Sequence, residues 1–208
     1  MTAKAEEIIA VLKKEYPSAK YYLNFSNPLQ LMVAAILSAQ CRDEAVNATT
    51  AKLFQKYKTA ADFTKLGEED IKSITFFKNK AKNIREACKL LIEKYKGKVP
   101  DSMEELVTLP GIGRKTANAI LINVFDKVLG VVVDTHVLRV SYRLGLTKNT
   151  NPEKVEKDLM AVMPKSEWKR LTWLLKDHGR AVCRAPTPYC SKCVLSKMCP
   201  KDGVTKQL

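Results

Sequence analysis

The sequence lacks any hydrophobic run of membrane-spanning length. Its longest apolar stretch is Leu29–Leu37, well short of the roughly 20 residues a spanning helix needs. There is no secretory leader at the start; residues 1–16 read instead as an amphipathic helix with Ile8, Leu12 and Tyr16 on one stripe among Lys and Glu. No segment alternates apolar and polar residues convincingly, which argues against a sheet. Neither an internal repeat nor a low-complexity linker is present, so solenoids and flexible arrays are excluded. Acidic residues are in short supply: Lys+Arg 36 against Asp+Glu 22 gives 36 − 22 = +14. That excess favours a polyanionic partner. Cysteine is almost absent before residue 183, where only Cys41 and Cys88 occur, and four of the six crowd into residues 183–199. The expectation is a cytoplasmic all-α protein. Its 208 residues, 46% of them hydrophobic, suffice for one large or two small domains with a real core.

What is present reads as helix after helix. Asn27-Pro28 opens one, with Pro at a favoured first position, and residues 29–37 are apolar nearly all round, as in a central buried helix. It ends at Ser38-Ala39-Gln40. Asp43 is placed to cap the next, whose inner stripe is Val46, Thr50, Leu53 and Tyr57. Thr59 and Asp62 have capping-box spacing, and Glu68–Ile74 forms a short helix. A long helix carries Ala81, Ile84, Cys88, Leu91 and Tyr95 and is stopped by Gly97. The helix Asp101–Leu109 starts with Ser102 and Glu105 as a second capping box. The connector Val131-Val132-Val133 is strand-like but short. Asp134 then caps a helix through Leu144. Asn151-Pro152 begins another, and Ser166 starts the last long one, closed by Gly179.

Three stretches carry chemistry. The first is Leu-Pro-Gly-Ile-Gly-Arg-Lys-Thr-Ala at 109–117, which reads as helix, tight turn, helix. Gly111 and Gly113 open backbone conformations closed to other residues and let a ligand approach the main chain. The helix that follows offers free N–H groups to an anion, and a nucleic-acid phosphate suits the charge. A plain interhelical turn is the other reading. Lys115 lies near that helix start, where the helix dipole and Arg114 place positive charge beside its amine. Such an amine can attack a carbonyl and form a Schiff base; it can equally bind phosphate. The second stretch is Asp134, a rigidly held carboxylate that either only caps its helix or also stabilises a developing cation. His136 and Arg139 beyond it either contact phosphate or solvate the helix. The third is Cys183-x6-Cys190-x2-Cys193-x5-Cys199. Four thiolates so close serve one centre. Zinc and a cubane iron–sulfur cluster both fit this ligand set. Cys41 and Cys88 read as small hydrophobes within helices.

LPGIGRKTAN, then VVVDTH some twenty residues on, then the four-cysteine loop together resemble the endonuclease III family, bifunctional DNA glycosylase/AP lyases with a helix–hairpin–helix. LNFSNPLQLMVAAILSAQ and DIKSITFFKNKAKNI follow the family's order, so the resemblance runs over essentially the whole chain. It implies a two-lobed all-α helix–hairpin–helix glycosylase fold with a DNA cleft between the lobes. Residues 20–130 would form a six-helix barrel domain. Residues 1–19 with 131–208 would form a discontinuous domain holding a [4Fe–4S] cluster on Cys183, Cys190, Cys193 and Cys199. Lys115 would be the nucleophile and Asp134 its acidic partner. Gly111, Ile112, Gly113, Arg114, His136, Arg139 and Arg184 would contact DNA. Gln40 would probe the gap left by the extruded base, and Phe76 would wedge into it.

Two departures from the family stand out. Phe76 replaces a commonly aliphatic residue and follows Thr75 instead of Gly. Between Cys183 and Cys190 only Arg184 is basic, with Arg42 and other lysines available to compensate. The implied protein is a monomeric prokaryotic enzyme, nucleoid-associated, acting on double-stranded DNA that carries an oxidised pyrimidine or abasic site, with no membrane partner.

Overall fold

The structure, a computed structural model, describes residues 3–208. Among them there are ten α-helices and no strand: α1 Ala3–Glu15, α2 Pro28–Ser38, α3 Asp43–Lys56, α4 Ala60–Phe63, α5 Phe77–Tyr95, α6 Met103–Leu106, α7 Arg114–Val124, α8 Thr135–Arg143, α9 Pro152–Val162 and α10 Lys165–Ala181. Single 3₁₀ turns occupy Glu68–Ile71 and Cys190–Lys192. Among the described residues no helix is long and apolar enough to cross a membrane. The chain divides into two compact units, Met1–Tyr21 with Val128–Leu208, and Tyr22–Lys127.

The unit Tyr22–Lys127 is built around α2. Asn27 caps its start by accepting the Gln30 N–H, and Pro28 supplies a pre-set φ where no N–H is needed. Leu31 through Leu37 are all buried, so this helix packs on every side, against α3, α5 and α7. The Thr59–Asp62 capping box is complete in both directions. Asp43 does not cap α3. The cap position falls on Arg42, whose side chain makes no capping bond, and Asp43 is the first helical residue. An acid there complements the helix dipole instead. The segment expected to be helical over Glu68–Ile74 tightens to a 3₁₀ turn ending at Ile71. The C-cap of α5 is Lys96, already left-handed at φ 53, with Gly97 following at φ 77.

In the other unit, α10 packs against α1 and α8. The shared core joins Ile8 and Leu12 of α1, Val137 and Val140 of α8, Leu159 of α9 and Leu171 and Leu175 of α10. The three valines before α8 form no strand. Val132 instead satisfies its backbone on α10, donating its N–H to Thr172 Oγ1 and accepting from the same hydroxyl. Gly179 does not end α10, which continues to Ala181. It lies buried at the crossing with α8, where a Cβ would sit 3.0 Å from Val140 Cγ2 and 3.1 Å from His136 Cβ. Close approach of the two helices, not chain termination, accounts for this glycine.

Candidate functional site

The turn at 109–117 is assembled from both sides. Ser102 caps α6 by accepting the Glu105 N–H at 3.2 Å, and its hydroxyl donates to Glu105 Oε2 at 2.7 Å. The helix expected over Asp101–Leu109 is only one α-turn. After Leu106 the bonds tighten to i→i−3, with Leu109 N donating to Leu106 O, because Pro110 disfavours helical geometry in the residue before it. Gly111 then takes φ +82, and a Cβ there would meet Asn83 at 3.1 Å and Ile36 at 3.3 Å. Ile112 is buried in the core, and its N–H is spent on Leu109 O.

Gly113 differs from the expectation for it. Its φ of −92 and ψ of 175 are open to any residue, and nothing lies within 4 Å of where its Cβ would be. It is the N-cap of α7 and provides no side-chain cap. The first turn of α7 therefore presents backbone N–H groups without intrahelical partners, over a surface with no side chain at position 113. Arg114 and Lys115 are exposed on this turn. These two glycines separate fold from function. Gly111→Ala should cost about 1–2 kcal/mol, the penalty of a left-handed L-residue. Gly113→Ala should lower the melting temperature only slightly, alanine being a poorer N-cap than glycine, and should still weaken DNA binding. Thermal melts and binding isotherms on both variants check this; a stable Gly113→Ala protein that binds at full strength removes the turn from the DNA contact.

Asp134 is half-buried at the start of α8, and it accepts the N–H groups of His136 at 2.8 Å and Val137 at 2.9 Å. Both bonds fall on Oδ1, so capping takes up one carboxylate oxygen and Oδ2 takes neither. His136 is half-buried; burial pulls its imidazole below the usual value, with Asp134 opposing. Arg139 turns inward. Its guanidinium donates to Cys183 O at 3.1 Å, Gly179 O at 3.0 Å and Thr135 O at 3.4 Å. It braces α8 against the end of α10. Arg184 is exposed, its Nε held by Arg180 O and its guanidinium over the Tyr189 ring at 5.4 Å.

All four cysteines of the C-terminal loop line one cavity, with Arg143, His178 and Tyr189 also on its wall. Arg143 donates towards Cys183 Sγ at 3.6 Å and holds the loop through Arg184 O and Pro186 O. His178 Nε2 lies 3.5 Å from Cys193 Sγ, and its Nδ1 pairs with the Tyr16 hydroxyl at 3.1 Å. Burial brings that imidazole down to about 4. Burial also pushes the Cys193 and Cys199 thiols up, and the neighbouring cysteines add to the effect. Among the described residues no three His, Cys, Asp or Glu donors converge on a single ion site.

Two further expected residues share an uncommon backbone. Gln40 has φ 53 and Phe76 φ 57. Both are exposed, Phe76 at 59% of its surface. A left-handed conformation in a bulky L-residue is a strain that surrounding structure must hold. Cys41 is not within a helix. It follows Gln40 in the turn between α2 and α3, partly exposed, and its thiol accepts from Lys80 Nζ at 3.4 Å. Cys88, by contrast, is fully buried, and its thiol is pushed up to about 12 by burial. Lys80 is the buried charge that motif reading passes over. Its only signal is position: it sits on the apolar stripe of α5 with Ala81, Ile84, Cys88 and Leu91.

Comparison with known proteins gives a consistent result. A family model described as HhH-GPD superfamily base excision DNA repair protein matches residues 33–165. The endonuclease III of a Synechocystis species is 50% identical over 202 residues, spanning 95% of this chain and 92% of that protein. That of Escherichia coli strain K12 is 40% identical over 203 residues, with 95% of each covered. A solved structure of a trapped covalent endonuclease III–DNA intermediate superposes with a TM-score of 0.89 at 41% identity over 97% of both chains.

Proposed function

The chain belongs to the HhH-GPD superfamily of base excision DNA repair proteins, in the endonuclease III family, and we propose that it excises oxidised pyrimidines from duplex DNA and nicks the resulting abasic site. The observation that carries this reading is the exposed Lys115 amine on the first turn of α7, two residues beyond Gly113, around whose Cβ position nothing lies within 4 Å. A phosphate held at that helix start would set the register of the strand. The Lys115 amine attacks the anomeric carbon, and the bond to the base breaks as the base leaves with a proton. Ring opening gives a protonated imine, which acidifies the C2′ hydrogen. Loss of that proton drives β-elimination, and the 3′ C–O bond breaks. Asp134 stabilises the positive charge that develops on the sugar. Arg114, Gly111, Gly113, His136 and Arg184 follow the backbone. Gln40 and Phe76 occupy the space of the extruded nucleotide.

The four cysteines are proposed to hold a [4Fe–4S] cluster. Thiols spread around the wall of one cavity suit a cubane larger than a single ion, and a positive centre would relieve the mutual repulsion of four thiolates. Such a cluster would clamp the loop through its four thiolates; no step of the sugar chemistry is routed through it. Purified protein should be brown and contain iron and acid-labile sulfide in equal amounts. Stoichiometric zinc without colour would replace the cluster with a zinc site.

The reaction is tested on duplexes containing an oxidised pyrimidine. Strand nicking without alkaline treatment is the expected result. Nicking that appears only after alkali reduces the proposal to a glycosylase without lyase activity. A panel of modified bases then fixes the substrate range.

A further inference from the structure

Lys80 is a charged residue buried in the unit Tyr22–Lys127, only 6% exposed. Its ammonium lies 2.8 Å from Leu37 O, 2.6 Å from Ala39 O and 3.4 Å from Cys41 Sγ. An ammonium has three N–H donors, and here each has a partner. All three partners flank Gln40. Lys80 itself belongs to the first turn of α5, where its backbone N–H donates to Phe76 O at 3.2 Å. The Lys80 side chain thus stitches residues 37–41 to the start of α5 beside Phe76. Each segment carries one exposed, left-handed residue, Gln40 or Phe76. Such conformations persist only where the surroundings over-determine them.

We propose that Lys80 is a positioning residue for base extrusion, binding the Gln40 turn to the Phe76 turn so that both enter the duplex as one rigid probe. It rests on the reading of Gln40 and Phe76 as the residues that fill the vacated stack. A cation at the end of α2 is favourable in any helical protein, so the experiment must distinguish positioning from simple capping. The distinction lies in the substrate. A paired lesion needs the probe; an abasic site in a single strand does not.

Two measurements on the full-length protein make the test. The first is the fluorescence rise of 2-aminopurine placed beside an oxidised pyrimidine in duplex, which reports unstacking. The second is borohydride trapping on a single-stranded oligonucleotide with a preformed abasic site. Lys80→Met should reduce the fluorescence rise and slow duplex excision about tenfold, on the scale of a misplaced positioning group. Trapping on the single strand should stay within about twofold of wild type, because the reacting groups are untouched. Lys80→Arg, which keeps donors for both carbonyls, should recover most of the duplex rate. Equal losses on both substrates, or an undiminished fluorescence rise, overturn the proposal. Should Lys80→Met melt below the assay temperature, Lys80→Gln carries the test through the same duplex-to-single-strand ratio, and an unchanged ratio overturns it. Gln40→Ala and Phe76→Ala serve as references. If neither lowers the fluorescence rise, the underlying reading of the probe fails. If both lower it while Lys80→Met does not, only the role of Lys80 fails.

Discussion

Lys115→Ala should yield no adduct when the protein is mixed with abasic-site duplex and borohydride, whereas the wild-type protein should be trapped. Borohydride reduces only a protonated imine, so an adduct requires an amine of the protein on the sugar. Lys115 is exposed in the first turn of an 11-residue helix. Alanine is the best helix former there, and a surface substitution of this kind moves stability by about 0.5 kcal/mol or less. The melting temperature should therefore stay put while nicking falls on the order of a thousandfold or more, as when a reacting group is removed. DNA binding should persist, because the amide surface at Gly113 and the basic excess of the chain are unchanged. Trapping at wild-type yield in Lys115→Ala would falsify the assignment of the nucleophile. Thirty-six Lys and Arg residues populate the chain, and mapping the surviving adduct would then identify the amine that reacts.

Asp134→Asn should retain the fold and lose activity. The cap uses Oδ1 alone, with His136 N at 2.8 Å and Val137 N at 2.9 Å. Asparagine presents an equivalent amide oxygen and caps helices about as well as aspartate. It cannot stabilise a cation as a carboxylate does. Excision in single-turnover assays should drop about a hundredfold or more, the range in which such groups act. Asp134→Ala removes both functions and should lose a further ~1 kcal/mol of stability. Comparing rates and melts of the two variants separates the roles. Wild-type excision by Asp134→Asn would leave the residue as a cap and nothing else.

The chemistry of helix starts was legible in the sequence because it is local. Asn27, Thr59 with Asp62, Ser102, Asp134 and Asn151 each cap the helix that their spacing indicates. A side chain bonding an amide two or three positions on needs no knowledge of the rest of the fold. What required the structure was long-range. Gly179 looked like a stop until the crossing with α8 explained it. Arg139 reads from sequence as contacting phosphate or solvating α8, and its carbonyl partners on Gly179 and Cys183 are not foreseeable from spacing. Cys41 and Lys80 are 39 positions apart, and no periodicity relates the thiol to the amine that it meets. The cysteine loop falls between these cases. Its spacing marks four candidate ligands, but only the fold puts Arg143 and His178 on the same wall.

The open start of α7 has a consequence for anyone redesigning this protein. Gly113 adopts a conformation any residue accepts, with free space around it and no capping bond. A search for thermostabilising changes would select the position, since Ser or Asp there would add a side-chain cap worth roughly a few tenths of a kcal/mol over glycine. The gain would come from filling the amides proposed to hold the substrate's backbone, and an aspartate would add charge of the wrong sign. If the proposed phosphate contact is made there, stability forgone at this helix start is the form in which affinity is stored. Optimisation guided by melting temperature alone would convert one into the other without disturbing a single core contact.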